Sequence, residues 1–87
     1  MTLREFKAKY MTKLLNMKKQ LLEKYPDRAD RVKYVVDVLV SKLDNLRVFT
    51  LTDYLSTLYH ATEEFKELEE LIPSEKEINE LLKEQIK

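Results

Sequence analysis

Glycine is missing altogether from this chain of 87 residues. Only glycine takes positive φ cheaply or lets a ligand approach the backbone closely. Phosphate-cradling loops, nucleotide fingerprints and tight type I′ hairpins are therefore disfavoured at once. Cysteine is missing too, which removes disulfides, thiolate metal sites and cysteine nucleophiles. No apolar run approaches the roughly 18–20 residues that span a bilayer. The opening Met1-Thr2-Leu3-Arg4-Glu5-Phe6-Lys7 also lacks the charged-then-apolar order of a signal peptide. Cytoplasmic residence is the default expectation, and no cofactor, metal, membrane or small-molecule substrate is implied.

What is there points to an ordered, helical chain. The composition is 44% hydrophobic and 37% charged, and long disordered tracts lack that apolar content. A domain this short buries only about 60–65% of its unfolded surface, so association with itself or a partner is an expectation from size alone. The Lys and Glu richness would suit a thermophile, and equally any strongly helical protein.

Four start signals divide the sequence into helices expected at about 3–25, 28–47, 51–71 and 75–86. Thr2-Leu3-Arg4-Glu5 and Ser74-Glu75-Lys76-Glu77 are capping boxes. Thr50-Leu51-Thr52-Asp53 is a variant with Asp in place of Glu, and Phe49 and Tyr54 are placed for a hydrophobic staple. Pro26 stops the first helix near Tyr25, with Asp27 as the next cap, and Pro73 breaks the chain before Ser74. The joints are short, so the fold class is an all-α antiparallel bundle of three long helices and a short fourth, in one domain.

Leu3, Phe6, Tyr10, Leu14, Met17, Leu21 and Tyr25 line one face of the first helix, with Met11, Leu15 and Leu22 as a second stripe. The second segment is ambiguous. Val32, Tyr34, Val36, Val38 and Val40 alternate as a strand would, but Ala29, Val32, Val36, Leu39, Leu43 and Leu46 keep helical steps over a longer span. A lone strand would have nothing to pair with. The expected third helix puts Leu51, Tyr54, Leu55, Leu58, Thr62, Phe65 and Leu68 on one face, and the fourth offers Ile78, Leu81, Leu82 and Ile86. The core should depend on Leu14, Val36, Leu39, Leu43, Leu58 and Phe65.

Charge is zero overall but split. Residues 1–50 hold 12 Lys/Arg against 6 Asp/Glu, and residues 51–87 hold 4 against 10. One reading is internal complementarity between the halves. The other is a charged partner at the corner where Lys18, Lys19, Lys24, Arg28, Arg31 and Lys33 gather, the best candidates for phosphate contacts. Glu23, Asp27 and Asp30 dilute that corner. His60, with Glu63 and Glu64 three and four residues on, shares a helical face, yet the metal-binding pattern of helical bundles runs Glu-x-x-His and recruits other helices. It reads first as solvated surface. Tyr34 and Val38 fall outside the core stripe of their helix, so either that helix is buried on two sides or they form a contact surface. The expected function is a non-catalytic interaction protein, an accessory subunit or regulator that binds another protein or itself as a homodimer. Its candidate interface is Tyr34, Val38, Met11, Leu15 and Leu22. The rival reading is a nucleic-acid-associated factor using the basic corner.

Overall fold

The computed structural model describes residues 1–86, with the side chains of 1–83. Four α-helices follow one another, α1 (Leu3–Lys24), α2 (Ala29–Asp44), α3 (Leu51–Glu64) and α4 (Glu75–Ile86), and no strand occurs among the described residues. The valine-rich segment is helical throughout. Its 3–4 spacing wins because Val32, Val35, Val36, Leu39 and Leu43 then share one buried face.

Both capping boxes form. Thr2 Oγ1 accepts from the Glu5 N–H, and the Glu5 carboxylate accepts from the Thr2 N–H. The Glu77 N–H donates to Ser74 Oγ, and Glu77 Oε1 accepts from the Ser74 N–H. The middle signals behave otherwise. Asp27 lies inside a 3-10 turn, Pro26–Arg28, and α2 starts from Arg28 with no side-chain cap. Pro26 supplies a fixed φ for that turn and so displaces the expected cap. Thr50 likewise makes no cap for α3. Its hydroxyl bonds back to Arg47, accepting from the Arg47 N–H and donating to the Arg47 carbonyl, which closes a second 3-10 turn, Val48–Thr50. That turn throws Phe49 outward to 85% exposure while Tyr54 is buried, so the expected staple is absent. The second helix also ends earlier than its expected limit at 47, although Leu46 remains fully buried beyond it.

The largest departure is in the expected helix 51–71. The chain leaves α3 at Phe65, whose φ of −129° and ψ of 96° are extended, and returns as a 3-10 helix, Lys66–Leu71. Leu68 therefore belongs to the returning rod and not to α3. Length explains the 3-10 winding. This rod runs antiparallel to α1, tied by Glu67 to Lys24 at one end and by Glu77 to Tyr10 at the other. Tyr10 and Lys24 lie fourteen positions apart, but Glu67 and Glu77 only ten. Fourteen α-helical steps cover about 21 Å, whereas ten would cover about 15 Å. The 3-10 rise of about 2.0 Å per residue, with Ile72 extended before Pro73, makes up most of the difference.

The result is four antiparallel rods, α1, α2, α3 and the 66–86 rod, measuring 47 × 20 × 20 Å. Phe6, Leu14, Leu21, Val36, Leu39, Leu43, Leu58 and Phe65 meet on the axis with no exposed surface to speak of, and the core holds no buried charged side chain among the described residues. Tyr10 and Tyr54 are its polar-tipped members. The Tyr10 hydroxyl donates to Glu77 at 2.8 Å, and burial together with that bond pushes its phenol well above the ordinary value. Tyr54 has no hydrogen-bond partner for its hydroxyl among the described residues, and burial pushes its phenol up to about 12.

Candidate functional site

The charge split is resolved largely inside the molecule. The N-terminal ammonium pairs with Glu80, Lys9 with Glu77, Lys24 with Glu67, Arg28 and Arg31 with Glu64, and Lys42 with Asp53. Each of these joins the basic first half to the acidic second. Exposed pairs contribute only about 0–1 kcal/mol apiece, so their effect is on register more than on stability. The α2–α3 seam shows this. Arg31 Nε donates to Glu64 at 2.7 Å and Lys42 Nζ to Asp53 at 2.6 Å. Arg31 and Lys42 are separated along α2 by the same number of residues as Asp53 and Glu64 along α3. The two pairs therefore fix a single antiparallel alignment about three helical turns long.

That arrangement pairs most of the basic corner with carboxylates. Of the six candidate phosphate contacts, Lys24, Arg28 and Arg31 are held by carboxylates of the second half, and Lys18 reaches Asp37 at 3.6 Å. Hydrogen bonds from Arg31 hold the Glu64 carboxyl below the usual carboxylate range, and the bond from Lys24 does the same for Glu67. Lys19 and Lys33 are exposed and form no ion pair among the described residues. Glu64 is thus engaged away from His60, and no group of three or more metal-ligating side chains is found among the described residues.

Between the two ends of the α2–α3 seam lies a groove of about 190 Å³, lined among others by Tyr34, Val35, Val38, Thr57, His60 and Ala61. Val35 and Ala61 are buried and form its floor; Val38 is half-buried, and Tyr34 stands 60% exposed at its edge. The Arg31 guanidinium, anchored by Glu64, lies 5.2 Å from the centre of the Tyr34 ring. A cation over an aromatic face attracts it by about 0.5–1 kcal/mol at an exposed site, and here the cation is itself paired, so the ring is biased toward this position.

The candidate strip on the first helix is narrower than its sequence suggests. Met11 and Leu22 are half-buried and pack on the core, leaving Leu15 half-exposed. The Lys18–Asp37 pair places this strip on the flank of α2 that faces α1, whereas Tyr34 and Val38 occupy the flank that faces α3. The two candidate strips are therefore not one surface. Sequence reasoning missed Val35 and Ala61 as the groove floor and Thr57 and His60 as its far wall. The matched spacing of Arg31 and Lys42 with Asp53 and Glu64 was the available signal, because it aligns Val38 with Thr57. No family model, curated protein or solved structure matches the chain.

Proposed function

We propose that this domain is a non-catalytic interaction module that binds a protein partner through the Tyr34 and Val38 face of α2. The observation that carries the reading is Tyr34 itself. It is a large aromatic, mostly exposed, biased in position by Arg31 beside an apolar floor, on a bundle whose core closes without it. Aromatic anchors beside a small apolar depression are the usual centre of a protein interface, and partial prior ordering of the ring lowers the entropy lost on binding. The Arg31–Glu64 and Lys42–Asp53 pairs set the register of the two helices that flank the depression. The nucleic-acid alternative has less support, since a phosphate backbone would have to compete with carboxylates already seated on Lys24, Arg28 and Arg31.

A photo-crosslinking side chain placed at position 34 and expressed in cells tests the reading. A discrete adduct is expected from position 34 and none from the exposed position 63, which lies away from the groove. Absence of any adduct from position 34 would sink the proposal.

A further inference from the structure

The outward face of α2 is complementary to itself. With 3.6 residues per turn, Lys33, Asp37, Asp30, Ser41, Tyr34 and Val38 follow one another across an arc of about 140°. All but the half-buried Val38 are exposed. Lys33 forms no ion pair among the described residues, and Asp37 is 70% exposed and held only loosely by Lys18 at 3.6 Å.

A two-fold axis lying in a helix–helix contact plane, perpendicular to the helices, reverses chain direction but keeps each flank on its own side. An isologous contact must therefore match every flank with itself, reversed. An axis level with the 35–36 peptide does so at all three positions across the face. Lys33 then faces Asp37 of the second copy on one flank. Asp30 faces the Ser41 hydroxyl along the middle, and Tyr34 faces Val38 on the other flank. Each match holds to within one residue, about 1.5 Å along the axis, and each occurs twice. The two Asp37 carboxylates come near the axis, and each is bracketed by Lys18 of its own chain and Lys33 of the other.

We infer that the partner seated on this face is a second copy of the chain, packed α2 against α2 and antiparallel. This rests on the reading of the Tyr34 face as the binding face. Contact between one pair of helices is at the small end of stable interfaces, so the dimer is weak and dependent on concentration.

Sedimentation equilibrium of the full chain, from about 10 μM to about 1 mM, tests the inference together with two charge reversals checked for fold by circular dichroism. Wild type should rise toward twice the chain mass of 10.5 kDa across this range. K33E and D37K should each remain folded and monomeric, because each places like charges opposite one another twice. An equimolar mixture of the two variants should dimerise. The carboxylate introduced at position 33 of one chain then meets the ammonium introduced at position 37 of the other, and the unaltered Asp37 meets the unaltered Lys33. A monomeric wild type at the highest concentration overturns the second-copy assignment, as does a mixture that stays monomeric. Reversals that each still self-associate overturn it too. If wild type is monomeric while position 34 still crosslinks to a different protein, the binding face stands and only the identity of its occupant fails.

Discussion

Glu77 joins three interactions in one carboxylate, and Glu77→Gln should expose their combined value. The side chain closes the capping box with Ser74, accepts from Lys9 Nζ at 2.9 Å and accepts from the Tyr10 hydroxyl at 2.8 Å. Partial burial pushes the carboxyl up, but the bonds from Lys9, Tyr10 and the Ser74 backbone outweigh it and hold it at about 2. An unfolded glutamate titrates near 4.3, so the folded state favours the charged form by about 2 pH units, at about 1.4 kcal/mol each. That sets a ceiling of about 3 kcal/mol. Lys9 is 41% exposed, so water screens part of its attraction, and a loss of about 1–2 kcal/mol at pH 7 is expected. Because the folded value is depressed, the contribution is fully present above about pH 5 and is lost as pH falls toward 2. Glu64 and Glu67 are also depressed, so both proteins weaken in acid. Only the difference between them reports Glu77. Urea unfolding followed by circular dichroism at pH 7, 4 and 2.5 should show the two midpoints converging as the pH drops. A constant gap across that range, or none at pH 7, would refute the reasoning.

Two further substitutions probe the interior. Leu39 has no exposed surface, and Leu39→Ala should destabilise by about 2–5 kcal/mol through lost burial and a cavity, measured by the same urea titrations. A change within experimental error would mean the site collapses without loss. Tyr54→Phe should be neutral or stabilising by up to about 1 kcal/mol, because it removes a buried hydroxyl that has no partner among the described residues. A clear loss on thermal unfolding would show that the hydroxyl is satisfied after all.

Much of the fold could be read from particular residues. The boxes at Thr2–Glu5 and Ser74–Glu77 mark real helix starts because their side chains answer local donors and need no tertiary partner. Phe65 carries no such mark. The reversal there has neither glycine nor proline, and Lys66–Leu71 is rich in good helix formers, so local preference favours continuing α3. Tertiary length matching decides otherwise. One trace of it is visible in hindsight: Phe65, Leu68 and Leu71 are buried at a strict spacing of three, the 3-10 period, where an α-helix alternates three and four. The Phe49 staple failed for a similar reason, since the Thr50 hydroxyl serves Arg47 in a tight turn that swings Phe49 outward and away from the buried Tyr54. Tyr34 was legible as lying off the core stripe. What it overlooks was not, because Val35 and Ala61 look like ordinary core positions until two helices are set side by side.

The returning rod covers more length per residue than the helix beside it. Ten residues cover the α-helical length of fourteen, so α4 cannot slip along α1 by a turn while Leu68 and Leu71 stay seated and the 3-10 winding is kept. Mechanically the segment is a strut, fastened at Phe65 beneath Tyr25 and Arg28 and again at Glu77. Peeling of α4 toward its N-terminus then halts at the Glu77 fastening, or else the whole 66–86 rod comes off together. Chain length in this segment is also asymmetric in its consequences. An inserted residue can be absorbed by relaxing 3-10 turns toward α-helix, which shortens the rise, whereas a deleted one can be absorbed only by unwinding 3-10 turns into extended chain, at the loss of their hydrogen bonds.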